Sequence, residues 1–328
     1  MLVLLSKIYE IVVNIRNKSF DSGKREIKKI DNIEITCIGN ITAGGTGKTP
    51  AVHYFIKKMI EEGKKPCVVS RGYGGRRKKE PLIVSDGKII SATPDESGDE
   101  SYLHALNLKC PVIVAKERYK AVSEAKEKFK CDSVVMDDGF QHRQLYREHD
   151  IVLIDAMNPF GGEKLLPAGY LREPIKGLRR AEKVIITRCS AVSKEKIEEI
   201  KSKIKLFNKN ISLADYVFSG IYNFEGKEIV DYMDKKVFIF SGIGNPRNFK
   251  NSVEKVGLII CGERIYKDHY KYREKDISDI LEKAVSCGAE LILTTEKDMV
   301  KILSISNEKL KKMCGILKIE FKMLEENI

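Results

Sequence analysis

The residues best suited to chemistry in this 328-residue chain lie in GNITAGGTGKTP, positions 39–50. The segment follows the apolar run Ile33–Ile38 and precedes a helical pattern, which is the strand–loop–helix setting of a phosphate-binding loop. Gly44, Gly45 and Gly47 let backbone N–H groups curl around phosphate oxygens without Cβ clashes. Lys48 can reach the β and γ phosphates of a nucleotide, and Thr49 can offer its hydroxyl to Mg²⁺. The helix that starts here points its positive end at the same charge. A strict G-x-x-x-x-G-K-[ST] motif has glycine where this chain has Thr42, but the G-K-T end keeps the mechanics intact. Thr42, Ala43, Gly44, Gly45, Thr46, Gly47, Lys48 and Thr49 are the expected cofactor-binding residues.

A second acidic element follows in S-V-V-M-D-D, which puts Asp137 and Asp138 at the carboxyl edge of an apolar strand. Ligands of open α/β sheets bind on that edge. Carboxylates there hold Mg²⁺ directly or through water, so Thr49, Asp137 and Asp138 form the expected metal set. A guanine-reading N/T-K-x-D string is not matched: Thr295-Glu296-Lys297-Asp298 carries its lysine one place too late, which removes the GTPase reading.

Short apolar runs alternating with helical patterns predict a mostly parallel α/β sheet. Strands are expected at 33–38, 66–70, 111–115, 132–136, 150–155 and 183–187. A helix at 49–62 has Val52, Phe55, Ile56, Met59 and Ile60 on one face and stops at Gly63. The charged stretch 191–209 reads as an exposed helix, and 211–230 as two strands around a turn. A second, smaller α/β lobe has strands near 236–240, 257–261, 291–294 and 316–321, and a helix at 277–287 opened by Asp276. The expected organisation is an N-terminal helix at 1–30, a P-loop domain at 31–210, a β linker at 211–230 and a C-terminal lobe at 231–328.

The chain is 42% hydrophobic and 32% charged, which excludes a disordered polymer, and its net charge of +12 favours anionic partners. The eight cysteines form no C-x-x-C pair and read as reduced core residues, with no metal–thiolate site expected. At the amino terminus Leu4, Leu5, Ile8, Ile11, Val12 and Ile15 recur at helical spacing, and Arg16, Lys18, Lys24, Arg25, Lys28 and Lys29 follow. The run is too short and too interrupted to span a bilayer and lacks a signal-peptide pattern. It fits either a helix packed on its own domain or an interfacial helix with a basic collar.

Five motifs, GNITAGGTGKTP (39–50), SRGYGG (70–75), SGDE (97–100), DDGFQH (137–142) and LPAGYLREP (166–174), occur in the order and spacing of one family. The chain closely resembles the tetraacyldisaccharide 4′-kinases, and YKDHY (266–270) and TEKD (295–298) extend the likeness. Tyr170 departs from the family's usual proline and leaves Arg172 and Glu173 in register. The resemblance implies ATP- and Mg²⁺-dependent transfer of a phosphoryl group to the 4′-hydroxyl of a lipid-linked glucosamine disaccharide 1-phosphate, within lipid A synthesis. It also implies a peripheral enzyme on the cytoplasmic face of the inner membrane. That setting favours the interfacial reading of the N-terminal helix on an anionic membrane surface, with no obligate protein partner.

By the same resemblance Asp99 is the general base for the sugar hydroxyl, with His269 paired to it and Lys48 on the transferring phosphate. The plain alternatives are an N-cap for Asp99 and a loop histidine beside tyrosines for His269. Arg71 with the glycines of RGYGG can approach an anionic group closely, and Arg118 and Arg172 are candidate phosphate clamps, because guanidinium binds phosphate bidentately. Arg76, Arg77, Lys78 and Lys79 read as a solvated basic loop. Gln141, His142 and Glu173 organise the site or touch sugar hydroxyls, and 295–298 has no assigned role. The competing readings are a soluble P-loop ATPase that drives partner assembly, and a nucleic-acid binder. DDGFQH with LPAGYLREP argues against the first, and the second has no nucleic-acid motif behind it.

Overall fold

The structure is a computed structural model that describes residues 1–45, 47–305 and 307–325. The chain divides into two units, one formed by Met1–Tyr216 with the chain from Phe321 onward, the other by Val217–Glu320.

The first unit opens with α1 (Leu2–Asp21) and continues through β1 (Glu34–Asn40), α2 (Lys48–Glu61), β2 (Pro66–Ser70) and β3 (Leu82–Asp86). The one-turn α3 (Pro94–Ser97), α4 (Asp99–Asn107), β4 (Pro111–Val114) and α5 (Arg118–Phe129) follow. Then come β5 (Ser133–Asp137), β6 (His149–Asp155), β7 (Lys183–Thr187), α6 (Lys194–Lys205) and the start of β8 (Ile211–Tyr222). The strands order as β8–β7–β6–β1–β5–β2–β4–β3, all parallel except the edge strand β3, which runs antiparallel to β4.

Both faces of this sheet are covered, so its central strands are apolar almost without interruption. Consecutive residues feed opposite layers: Val134, Val152 and Ile186 pack into one core, while Val135, Leu153 and Ile185 pack into the other. In α2 the stripe Val52, Ile56 and Met59 is buried as the periodicity requires, and the chain turns at Gly63, which is left-handed at φ 79°. The charged helix expected to be exposed is anchored instead. Ser193 caps α6 by accepting from the Lys196 N–H, and Ile197, Ile200 and Ile204 are buried.

In the second unit β9 (Lys236–Ser241), α7 (Pro246–Lys255), β10 (Ile259–Ile265), α8 (Glu274–Ser286) and β11 (Leu291–Thr295) lead to α9 (Glu296–Ile302), α10 (Glu308–Met313) and β12 (Cys314–Glu325). Strands β10–β9–β11–β12 are parallel neighbours. The helix expected from 277 begins three residues earlier, and the Asp276 carboxylate accepts the Arg273 N–H.

The proposed linker 211–230 is not a hairpin of two strands. One long strand, β8, runs to Tyr222, and the Asn223 carboxamide then closes a turn by accepting the Glu225 and Lys227 N–H groups, leaving only a bridge at Glu228. The chain likewise leaves the second unit before its end. Phe321 in β12 belongs to the first core, with its ring 5.3 Å from Tyr54 and 5.9 Å from Tyr216.

Helix α1 touches the first unit along a narrow stripe. Ser6, Val13 and Phe20 are buried at seven-residue intervals, while Leu2, Val3, Leu4, Leu5, Ile8, Ile11, Val12 and Ile15 are 45–65% exposed. Polar bonds fix the inner side. Ser6 donates to the Leu165 carbonyl at 2.8 Å, Tyr9 to that of Arg172 at 2.9 Å, and Arg16 to that of Gln141. Arg143 returns a bond to the Asn17 carbonyl at 3.0 Å and an ion pair to Asp21. Among the described residues no helix is long and apolar enough to cross a membrane.

Phe140 anchors the loop after β5. It is fully buried in the first core, with the Arg180 guanidinium 4.6 Å over its ring. Phe140→Ala is expected to destabilise the first unit by about 3–5 kcal/mol, read as a lower urea midpoint, because the cavity lies beneath a fixed loop.

Candidate active site

The glycine-rich loop leaves β1 at the carboxyl edge of the sheet and is held from two sides. On one side it pairs with the 166–174 segment: the Ala43 N–H donates to the Tyr170 carbonyl at 2.6 Å and the Arg172 N–H to that of Ile41 at 2.8 Å. Tyr170 donates its own N–H to the Gly161 carbonyl at 3.0 Å, a bond proline could not make. On the other side Gly47 ends the loop in a left-handed conformation (φ 77°) against Tyr216, whose hydroxyl donates to the Gly47 carbonyl at 3.0 Å. A Cβ at position 47 would fall on that hydroxyl. Burial pushes the Tyr216 phenol up to about 12, so it stays a donor. Thr46 lies outside the described residues.

Lys48 and Thr49 open α2 directly behind the loop. The Lys48 ammonium faces Asp138 at 3.6 Å, and Arg172 donates to both Asp138 oxygens, at 2.7 and 3.0 Å. Asp138 is itself left-handed at φ 52°, and its N–H donates to the Ile38 carbonyl at the end of β1. Burial pushes its carboxyl up, but Lys48 and Arg172 together outweigh that and hold it below its ordinary value.

Asp137, one residue earlier, is only 3% exposed. One of its oxygens is 3.1 Å from His104 Nε2, and the other has no partner among the described residues. The two neighbouring carboxylates therefore differ: Asp138 is occupied by cations, while Asp137 has a buried lone-pair site still open. Together with the buried Thr49 hydroxyl this fits Mg²⁺, which takes one or two protein oxygens and completes its shell with phosphates and water.

Glu173 and Gln141 brace the same edge. Glu173, 2% exposed, accepts from Gln141 Nε2 at 2.9 Å and from Arg180 at 2.7 Å, and Gln141 also donates to the Asn40 carbonyl at 2.8 Å. The loop after β5 is thereby tied to the end of β1 and to the 166–174 segment at once.

Arg118 begins α5 and is buried, donating to the Lys116 carbonyl at 3.1 Å. Burial and then Arg71 lower it to about 10, which leaves it charged at neutral pH. His142 sits in the same positive field. Burial, Arg118, Arg147, Arg71 and Arg16 bring it down to about 4. The imidazole is therefore neutral at pH 7 in the field of Arg118 and Arg71, which were expected at an anionic group, whereas His142 itself was expected to organise the site or touch sugar hydroxyls. In the basic loop beyond them Arg76, Lys78 and Lys79 are exposed as expected, and Arg77 alone is drawn in. Arg77 pairs with Glu80 at 2.7 Å and donates to the Gly72 carbonyl, leaving its side chain 6% exposed.

Asp99 is the first residue of α4, and Gly98 is the N-cap, so the capping alternative is not how Asp99 is used. Gly98 is left-handed (φ 84°), and a Cβ there would strike the Tyr73 carbonyl of the RGYGG turn. The two loops touch backbone to backbone, and the Arg76 N–H donates to the Asp95 carbonyl at 2.7 Å. Close packing of RGYGG against SGDE thus sets where Asp99 stands.

His269 lies in the second unit, left-handed at φ 57° and exposed, with its N–H on the Asp268 carboxylate at 3.0 Å. Its loop is pinned by residues the sequence reading gave no role. Thr295 caps α9, and the fully buried Asp298 accepts from Tyr272 at 3.0 Å, the Gly242 N–H at 3.0 Å and Thr295 at 2.8 Å, and pairs with Lys301. Tyr270 reaches Asp276, and Tyr266, Tyr270 and Tyr272 stack within 4.5–5.4 Å. The TEKD string is therefore the hub that holds the YKDHY loop.

Sequence reasoning also missed His53, His104, Arg180 and Tyr216. The available signal for His104 was a polar side chain on the apolar face of α4, beside the buried Leu103 and Ala105.

The model of the LpxK family, tetraacyldisaccharide-1-P 4′-kinase, matches residues 1–328. This chain belongs to that family. It is 37% identical over 317 residues to the tetraacyldisaccharide 4′-kinase of Halothermothrix orenii, covering 92% of this chain and 82% of the relative. It is 34% identical over 330 residues to that of Elusimicrobium minutum, covering 98% and 87%. Among solved structures it is similar to the "apo" form of LpxK from Aquifex aeolicus in complex with ATP, with TM-score 0.76, 30% identity, and 98% and 94% of the two chains covered. The mostly parallel α/β fold expected from the sequence is that of the family.

The depressed His142 gives a pH prediction for this family member. Between its ordinary 6.5 and about 4 the unfolded chain takes up a proton that the folded chain refuses, so stability falls with acid across that window. In urea titrations at pH 7 and pH 4.5, His142→Gln is expected to lose less stability between the two than wild type does.

Proposed function

We propose that the chain is an ATP- and Mg²⁺-dependent kinase that phosphorylates the 4′-hydroxyl of tetraacyldisaccharide 1-phosphate, the reaction of lipid A synthesis that gives its family its name. The observation that carries this reading is the cluster of Lys48, Asp138 and Arg172 behind the phosphate loop, which prepares two cations for a transferring phosphoryl group.

Phosphoryl transfer needs positioning and charge neutralisation more than covalent chemistry. The acceptor oxygen forms a bond to the γ-phosphorus while the bond from that phosphorus to the β–γ bridging oxygen breaks, and ADP leaves. Backbone N–H groups of Gly44, Gly45 and Gly47 cradle the phosphates, with Lys48 on the γ-phosphate. Thr49 and Asp137 would hold Mg²⁺, whose charge offsets that of the phosphate oxygens. Asp138 keeps Lys48 and Arg172 in place. Asp99 takes the acceptor hydroxyl proton. Arg71 and Arg118, with the neutral His142, bind an anionic group of the substrate.

The exposed side of α1 supports a peripheral site of action on the cytoplasmic face of the inner membrane. Eight aliphatic side chains face outward, while the polar bonds of the inner side run to the loops that carry Gln141 and Arg172. An acylated substrate stays in the bilayer, and a helix lying in the interface brings these loops to it.

With γ-labelled ATP and detergent-dispersed disaccharide 1-phosphate, label is expected in the lipid and absent with Lys48→Ala. Label released only as free phosphate would replace the kinase by an ATPase. Asp99→Ala is expected to lower kcat by about 10²–10⁴-fold with little change in KM for ATP; loss confined to ATP affinity would move Asp99 to the metal. Vesicles with anionic lipid should bind the enzyme, and Ile8→Ser/Ile11→Ser/Val12→Ser should weaken binding by about tenfold or more in co-sedimentation.

A further inference from the structure

The buried chain behind Asp137 has no place in the chemistry above. Helix α4 carries His104, with no exposed surface at all, between two partners. Its Nε2 is 3.1 Å from Asp137 Oδ2, and its Nδ1 is 3.0 Å from Nε2 of His53 on the phosphate-loop helix α2. The two imidazoles meet edge to face, with centroids 5.1 Å apart.

With Asp137 taken as an ionised metal ligand and His104 as a neutral imidazole, the donor directions follow. An ionised carboxylate only accepts, so His104 Nε2 carries a hydrogen and donates it to Asp137. A neutral His104 then has a bare Nδ1, which must accept, so His53 Nε2 donates. Each donor in the chain has one acceptor, and the directions run from α2 through α4 to the end of β5. The chain ends on a carboxylate whose other oxygen, Oδ1, is buried without a partner among the described residues.

A fully buried imidazole is retained only where both nitrogens are satisfied. Here they are, and the result is to lock one oxygen of Asp137 and turn the other out. We infer that His104 is a positioning residue for Asp137, and that His53 fixes the His104 tautomer. Together they aim Asp137 Oδ1 at the position where Thr49 and the phosphate loop present a nucleotide-bound divalent cation. Hydrogen-bonded neighbours of this kind orient metal-ligating carboxylates and typically change metal affinity by 10–100-fold when removed. Because His53 belongs to the same helix as Lys48 and Thr49, the bond also ties the position of the carboxylate to that of the phosphate loop. This inference rests on the reading of Asp137 as the Mg²⁺ ligand.

The test is equilibrium binding of adenylyl imidodiphosphate to the full chain, with Mg²⁺ titrated in and with Mg²⁺ absent. His104→Phe keeps the ring volume and removes the donor. It is expected to weaken Mg²⁺ by about 10–100-fold while leaving metal-free nucleotide affinity within about twofold. His104→Gln, which restores a donor to Asp137, is expected to recover most of that loss. His53→Leu, at a half-buried position, should weaken Mg²⁺ several-fold and keeps the test alive should the His104 variants not fold. Wild-type Mg²⁺ affinity in His104→Phe or in His53→Leu, or an equal fall in metal-free binding, overturns the inference. Asp137→Asn separates the two readings. Undiminished Mg²⁺ affinity there removes Asp137 as the ligand, whereas loss in Asp137→Asn without loss in His104→Phe removes only the role of His104. With five histidines in the chain, ¹⁵N-histidine spectra of the metal-free wild type also report the tautomer. His104 protonated at Nε2 is expected, and His104 protonated at Nδ1 contradicts the assignment.

Discussion

Two cations at the end of one buried strand are stable only because a carboxylate stands between them. Lys48 and Arg172 would repel each other at the phosphate loop, and the left-handed Asp138 accepts from one and faces the other. The pair is partly shielded, with the Lys48 side chain 10% exposed, so removing Asp138 would leave charges that water cannot fully screen. The rest of the first unit serves that arrangement. The β1–β5 register brings Ile38 beside Asp137, the Asp138 N–H closes onto Ile38, and Gln141 with Glu173 carries the restraint to the segment that supplies Arg172.

The same segment links the site to the amino-terminal helix. Tyr9 and Arg16 bond the Arg172 and Gln141 carbonyls, so the inner side of α1 is occupied by backbone of the site itself. This explains why an amphipathic helix can be anchored and still leave its aliphatic face outward. The helix is held by directional bonds and three buried side chains rather than by burial of its apolar stripe. Lys28 and Lys29 from its basic collar rest over the Tyr119 and Tyr146 rings, so part of the collar is already committed to the protein.

The strand–loop–helix of the nucleotide site was legible because its chemistry is local: glycines, Lys48 and Thr49 are adjacent in sequence, and the flanking periodicities are strong. Asp137 and Asp138 were legible as a pair, but not their division of labour. That division depends on His104 and Arg172, which come from distant parts of the chain. The same holds for TEKD. As a string it looked like a helix start, and Thr295 is one, but the role of Asp298 appears only when Tyr272 and Gly242 fold over it. Helix α6 was placed correctly but misjudged as exposed, since its charge outweighed an isoleucine stripe of three residues in the reading. The break after Tyr222 and the return of Phe321 to the first unit were invisible, because strand partners and ring contacts far apart in sequence leave no local pattern.

The most direct measurement is a crystal structure of the enzyme with adenylyl imidodiphosphate and Mn²⁺, using anomalous scattering to locate the metal. The account requires one anomalous peak within bonding distance of Thr49 Oγ1 and Asp137 Oδ1, with Lys48 on the γ-phosphate and Arg172 still on Asp138. A metal bound to Asp138 instead, with Arg172 released and Asp137 Oδ1 left alone, would contradict it.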